Sequence, residues 1–442
     1  MQLQTYKLDN AGDLENQPWF IDLRKSALPG GEVAATVSAI IDDVRSHGDE
    51  ALVKYMRKWT DPSFSADRIR VAPQEMKNAL DSLEKKMRGV LERSIEHVAA
   101  YQKHILPTDP APITIDGAEM GLRWTPVSSV GLAVPGGKAA YPSSVIMLAV
   151  PAQSAGVNTR GISVVTPPPT RKGDEAHAAA GDIAPLVLAT CAMLNIERVY
   201  RIGGAQAMAA LAFGTQSVEP VDMIVGPGNV FTQLAKQQLM GRVGIDGFYG
   251  PSEIVVIVDD SADPSRVAAD LIAQAEHDPG RCILIAWSQG VIDGVNKAIG
   301  EQALSRKRLK AIETSLKDWS AALLVKDEAM AVAVSDIIAA EHVNLAVKEP
   351  ERLLKKLRHG GAFFLSDHSP VAAGDYYAGP SHSLPTGTTA RFTSGVSVYT
   401  FLKRSGTVFY REGMSGQTID SIATFAEAEG LDGHAASVKA RS

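Results

Sequence analysis

Between residues 130 and 240, short apolar runs alternate with helical runs, and no other feature constrains the fold as much. Strands are expected at 130–134, 162–165, 198–202 and 221–225. Helices are expected at 143–155, 185–194, 205–213 and 230–240. Strands separated by helices run parallel and need cover on both faces, so the segment predicts a two-faced parallel sheet. The alternation restarts with strand 254–258, helix 264–277, strand 282–287 and helix 291–300. Strand 321–325, a helix ending at Ile338, a helix around 353–357 and strand 362–365 complete the second series. The chain therefore reads as α/β, with two similar parallel-sheet units in tandem.

The flanking sequence is different. Val33, Val37, Ile40, Ile41 and Val44 recur at helical spacing, as do Met76, Leu80, Leu83, Met87 and Val90. Residues 1–30 contain Trp19, Phe20 and Ile21 without a clean period and read as an arm that packs elsewhere. Three consecutive prolines open a 167–182 stretch expected to be an exposed loop. The last residues hold a helix at 419–429 and a tail, too little for a separate core.

A length of 442 residues implies two or more domains, and a net charge of -6 without a basic stripe argues against nucleic acid as a partner. Cys191 and Cys282 lie in apolar runs and read as buried thiols of a reducing compartment. There is no apolar run of about 18 residues and no basic start followed by an apolar stretch. A cytoplasmic protein without membrane contact is expected.

Three glycine-bearing turns follow strands of the first sheet: Pro135-Gly136-Gly137, Gly203-Gly204-Ala205-Gln206 and Gly226-Pro227-Gly228-Asn229. The carboxyl ends of parallel strands are where open α/β sheets bind ligands, and helix N-termini beyond them suit an anion. None spells G-x-G-x-x-G, so each also reads as a tight turn alone. In the second series, polar groups collect at positions taken to be comparable. Gln274 and His277 sit three apart on one helical face, as a ligand pair or as a surface amide beside a helix-capping imidazole. The four residues 274–277 alone favour the cap. Glu341-His342 joins an acid to an imidazole at a helix-to-strand junction. Asp375, Ser381 and His382 fall in a Gly/Pro/Ser-rich loop, with Glu429 and His434 near the end. Gln274, His277, Asp375 and His434 are candidate metal donors whose spacing matches no regular motif. His47, His97, His104, His177, His359 and His368 read as surface residues.

Together these blocks resemble histidinol dehydrogenase. The likeness rests on Val134-Pro-Gly-Gly137, Ala140-Tyr-Pro-Ser-Ser144, Arg201-Ile-Gly-Gly-Ala-Gln-Ala207 and Val225-Gly-Pro-Gly-Asn229. It continues through Gly250-Pro-Ser-Glu253, Gln274-Ala-Glu-His-Asp-Pro279, Glu341-His342, Ala373-Gly-Asp-Tyr376 and Leu384-Pro-Thr-Gly387. The resemblance implies two Rossmann-like domains, with a helical N-terminal arm (1–30) and a short C-terminal tail (397–442). Residues 31–133 and 252–396 would form one domain, carrying most of the zinc and catalytic site, and 134–251 the NAD-binding one. It implies a cytoplasmic homodimer whose tail reaches its neighbour, oxidising L-histidinol to L-histidine with one Zn2+ per subunit and two NAD per reaction. By carry-over, Glu341 and His342 are the acid–base residues, and Gln274, His277, Asp375 and His434 hold zinc. Ser252, His382 and Glu429, with these same residues, would contact substrate, while Gln206, Asn229 and position 133 would face NAD.

Three departures stand out. Ala133 occupies a position where the family commonly has a tyrosine, Ser381 stands where Asn is usual, and the loop at 167–182 is long. The rival readings are a dehydrogenase of this scaffold acting on another polar alcohol, such as a sulfonated diol, and a catalytically silent ligand-binding protein. An amino alcohol needs an acidic partner, which Glu429 offers, and a pure binder has no use for Glu341 and His342.

Overall fold

The Val- and Ile-rich runs become the central strands of two parallel sheets. The structure, a computed structural model, describes residues 1–26, 31–136, 140–169, 181–277 and 279–441. In chain order the strands are β1 (Thr5–Lys7), β2 (Ile113–Ile115), β3 (Ala118–Pro126), β4 (Val130–Ala133) and β5 (Ile162–Val165). Next come β6 (Arg198–Tyr200), β7 (Met223–Val225), β8 (Gly244–Ile245), β9 (Glu253–Val258) and β10 (Arg281–Ala286). The last four are β11 (Ala321–Leu324), β12 (His342–Ala346), β13 (Ala362–Leu365) and β14 (Leu402–Tyr410).

One sheet has the order β6-β5-β4-β7-β8 and the other β1-β11-β10-β9-β12-β13. Apart from β1, each runs third, second, first, fourth, fifth in its own series, so the tandem α/β expectation holds. Side chains alternate between two cores: Ile254, Val256 and Val258 enter one face of the six-stranded sheet, Val255 and Ile257 the other. In each sheet the chain reverses direction of travel beside its first strand, between β4 and β7 and between β9 and β12. The carboxyl-end crevice there is a ligand site in such sheets. In the six-stranded sheet Asp259, just past β9, spans it to the loop after β12, accepting hydrogen bonds from the Ser261 amide (2.9 Å) and from the Lys348 amide (3.0 Å).

The expected partition needs two corrections. Residues 31–133 do not join the six-stranded sheet. The helices Glu32–His47 and Asp49–Trp59 bury Val37, Ile40, Val44, Leu52 and Met56 in one core with Leu211, Ile224 and Leu234. The helices Pro73–Asp81 and Lys85–His104 lie on the opposite side, and β4 is the centre of the five-stranded sheet. A parallel sheet requires two covered faces, and these helices provide much of that cover. The N-terminal arm, for its part, is more than helical. β1 pairs in parallel with β11, and Leu8, Leu14, Phe20 and Leu23 fill the six-stranded sheet's core.

The tail also holds more structure than expected. β14 pairs antiparallel with β3 from Leu402↔Pro126 to Tyr410↔Ala118. A strand with no buried face has no period-two signature, which is why the sequence hid it. The helices Gly416–Ala428 and Asp432–Lys439 follow and pack chiefly on each other through Ala423, Ala426 and Ala435. Among the described residues no helix is long and apolar enough to cross a membrane.

Both cysteines are fully buried, and desolvation pushes each thiol up to about 12. A raised pKa keeps the thiol protonated below that value, so no reactive thiolate forms near pH 8. A thiol-titrating disulfide reagent should find no fast-reacting group in the native protein and two after unfolding. Stoichiometric labelling of the native protein would contradict the burial.

Candidate active site

The chain leaves the helix Glu328–Ile338 through Ala339, a buried residue in the left-handed region (φ 48), and enters β12 three residues later, at His342. That turn sets Glu341 and His342 at the amino end of β12, beside the amino end of β9. The Glu253 peptide serves both. Its N–H donates to Glu341 Oε2 at 2.9 Å, and its carbonyl lies 3.1 Å from His342 Nδ1. A carbonyl only accepts, so Nδ1 carries the proton and Nε2 keeps its lone pair. Ser252 Oγ donates to the same Glu341 oxygen at 2.6 Å.

Burial pushes the Glu341 carboxyl up to about 8 despite these two hydrogen bonds, with Asp375 adding to the rise. Burial also pulls His342 below its ordinary value, against the pull of Asp375 and the Glu253 carbonyl. His342 Nε2 lies 3.9 Å from Asp375 Oδ1. A neutral imidazole can take up a proton, and so can the Glu341 carboxylate once ionised, the raised pKa making it a stronger base than an ordinary carboxylate.

The helix Pro264–Ala275 starts as its sequence requires, with Pro264 in the first turn and Asp263 accepting from the Ser265 amide. It stops two residues before His277, which follows the cap residue Glu276. A Cβ on Gly280 would fall 1.9 Å from the Gln274 carbonyl oxygen, so only glycine lets the chain pass under this helix end. Gln274 is buried, and its Nε2 has no hydrogen-bond partner. Rotation of the amide exchanges N and O, so that buried position can equally present an oxygen. His277 is exposed along the cleft but hemmed in on most sides. Desolvation, then His342, His382 and Arg308, push its imidazole down to about 4.

Asp375 lies on a short helix, Val371–Tyr376, and not in a loop as expected. Its carboxyl is raised by burial against the lowering influence of His342. An amide oxygen, a neutral imidazole and a carboxylate around one cleft form a donor set that suits zinc. Among the described residues, no three His, Cys, Asp or Glu side chains converge as a metal cluster in a single chain.

His382 ties the two sheets together. Its Nδ1 donates to the Asp375 carbonyl (3.1 Å), which leaves Nε2 to accept from Ser144 Oγ (3.3 Å). Desolvation pushes its imidazole down to about 4 and preserves that neutral form. Ser144 belongs to the first turn of the helix Pro142–Ser154, just beyond β4. The cleft thus lies between the carboxyl edge of the five-stranded sheet and the amino edge of the six-stranded one. The polar groups of the second unit are therefore not at positions comparable to the glycine turns of the first. They occupy the opposite strand ends.

On the carboxyl edge, a Cβ on Gly136 would sit 2.0 Å from the Pro167 carbonyl oxygen, and one on Gly226 (φ +119) 2.4 Å from that of Ala133. These glycines let the turns close up and leave a backbone-lined crevice at β4 and β7. Gln206 is buried in the first turn of the helix Gly204–Phe213. Asn229 caps the helix Val230–Leu239, its Oδ1 accepting from the Phe231 and Thr232 amides, which leaves its side-chain NH2 available. Ala133 is buried in the core, so its methyl does not line the crevice.

One chain brings together Ser252, Gln274, His277, Glu341, His342, Asp375 and His382, but leaves Glu429 and His434 exposed on the terminal helix pair. His47, His97, His104 and His368 are exposed and His359 is half-buried; His177, Gly137, Asp278 and most of the 167–182 stretch lie outside the described residues. Sequence reasoning missed Ser144 and Asp270. Asp270 lies four residues before Gln274, a spacing that could have revealed it, and desolvation pushes it up to about 6.

The family model for histidinol dehydrogenase matches residues 23–442. Histidinol dehydrogenase of Rhodospirillum rubrum is 42% identical over 412 residues, covering 93% of this chain and 92% of that protein. The Bacillus subtilis protein of the same name is 39% identical over 423 residues, covering 95% and 96%. In three dimensions the crystal structure of histidinol dehydrogenase from Elizabethkingia anophelis matches with a TM-score of 0.89 at 29% identity, over 99% of this chain and 98% of the other. With the whole fold and nearly the whole sequence in agreement, the chain belongs to the histidinol dehydrogenase family.

Proposed function

We propose that the protein is a cytoplasmic, homodimeric enzyme that oxidises L-histidinol to L-histidine through L-histidinal. The observation that carries this reading is the setting of Glu341 and His342, one with a raised carboxyl pKa, the other held in a single tautomer by Glu253. Gln274, His277 and Asp375 would hold zinc, with His434 from a second copy as the fourth ligand. Zinc, when bound, would fix the substrate's amine and imidazole nitrogens. Gln206, Asn229 and the Ala133 backbone would hold NAD in the crevice, where it would supply the hydride acceptor for each half-reaction.

In the first half-reaction His342 Nε2 accepts the hydroxyl proton as the carbinol carbon gives up its hydride. In the second, once His342 has released that proton to solvent, Glu341 takes a proton from water as the water oxygen bonds to the aldehyde carbon, and His342 accepts the remaining hydroxyl proton as a second hydride leaves. Ser252 holds the Glu341 carboxylate in place. Ser252 and His382, with Glu429 from the second copy, would complete the substrate's surroundings, Glu429 facing its ammonium group.

The dimer reading is supported by what one chain leaves uncovered. Ile113, Ile115, Val408 and Phe409 are exposed on the three-stranded sheet that β14, β3 and β2 form in that order, and Phe425 and Leu431 on the terminal helices. Ile113 and Val408 both stand opposite Met120 and share one face with Ile115, and exposed apolar side chains grouped on one face mark an interface.

The zinc-loaded protein supplied with L-histidinol and NAD should release two NADH for each histidine formed, read by absorbance and product analysis. Turnover of another polar alcohol alone, such as a sulfonated diol, would replace histidinol as substrate. Binding without any turnover would mark a silent binding protein.

A further inference from the structure

Beneath the Gly226 turn lies an ion pair with no contact with solvent. The side chains of Lys236 and Asp246 are both 0% exposed, and Lys236 Nζ stands 2.5 Å from Asp246 Oδ1. The same ammonium donates to the Gly226 carbonyl at 3.0 Å, while the Gly226 N–H donates to Asp246 Oδ2 at 2.6 Å. The aromatic ring of Tyr249 covers the ammonium at 4.8 Å. Both hydrogen-bonding groups of Gly226 are therefore engaged by one buried pair, at a residue whose φ of +119 is open to glycine.

Burying two charges is costly, and an apolar pair of similar volume commonly stabilises a protein as well or better. What the ion pair supplies is orientation. It fixes the first residue after β7, on the wall of the crevice between β4 and β7, before any ligand arrives. The segment that carries Asp246 runs on through Tyr249, whose amide donates to Gln233 Oε1, to Ser252 and its bond to Glu341.

We infer that Lys236 and Asp246 are positioning residues that preorganise the Gly226–Asn229 turn for the dinucleotide. This rests on the NAD reading above. A turn already held in its binding conformation loses little freedom on binding, so the clamp should act on NAD affinity more than on substrate affinity.

The test uses full-length Lys236→Met and Asp246→Asn, with NAD and histidinol each titrated calorimetrically and folding checked by near-UV circular dichroism. The expected result is a roughly tenfold weaker NAD dissociation constant in a folded variant, with a smaller loss for histidinol. Unchanged NAD affinity, or equal losses for both ligands, overturns the inference. If both variants fail to fold, hydrogen exchange of the Gly226 amide in the NAD-free wild type decides. Exchange as slow as in β4 and β7 supports the clamp, and fast exchange overturns it. A wild type that does not bind NAD would sink the NAD reading itself, a result distinct from variants that bind it as well as wild type.

Discussion

Glu341→Gln is expected to stop histidine formation while leaving part of the alcohol oxidation intact. The amide keeps the shape and can still accept hydrogen bonds from Ser252 and the Glu253 amide, but it cannot take a proton from water. Loss of a general base costs on the order of 10²–10⁴-fold in the step it serves. With histidinal as substrate the variant should fall by that factor. With histidinol, a single turnover followed by NADH absorbance should retain a much larger share of the wild-type rate. Equal losses in the two assays would mean that Glu341 acts in both halves or mainly maintains the site.

The second large effect concerns the ownership of His434. If the terminal helix pair of one chain completes the neighbour's site, His434→Ala and Glu341→Gln will each fail to form histidine alone but will complement each other. Coexpression assembles hybrid dimers in which one site carries both lesions and the other neither. Random pairing makes half of all dimers hybrids, so about a quarter of wild-type activity should return. No recovery in verified hybrids would place each His434 in its own chain's site, against its exposed position on the terminal helices.

The two sheets were legible because fully buried parallel strands are written as uninterrupted apolar runs, and the tandem repeat followed from the restart at Ile254. Which sheet residues 31–133 cover was not legible. An amphipathic helix declares that it has an apolar face but not the partner of that face, and Val37, Ile40 and Val44 fit either core in principle. β14 was invisible for the opposite reason, since an exposed strand imposes no pattern.

In the site, Gln274 and His277 were ambiguous on helical spacing alone. What bears on that ambiguity is tertiary: a buried amide without a partner, with Asp375 and His342 across the cleft. The Lys236–Asp246 pair gave no sign in the sequence, because a lysine inside a helix is normally read as a solvated residue and only burial says otherwise.

Asp259 carries a last consequence. By linking the end of β9 to the loop after β12, it ties the switch-point crevice of the six-stranded sheet together, so on the proposed function each chain keeps one berth, beside Gly226, although the topology occurs twice. Two oxidations on one substrate must then share that berth in sequence, with the spent carrier departing and a fresh one arriving in between. The half-oxidised molecule has to wait through the exchange, so a tight grip on an aldehyde becomes a timekeeping requirement as well as an aid to chemistry. A duplicated fold that kept both berths open would have no such interval.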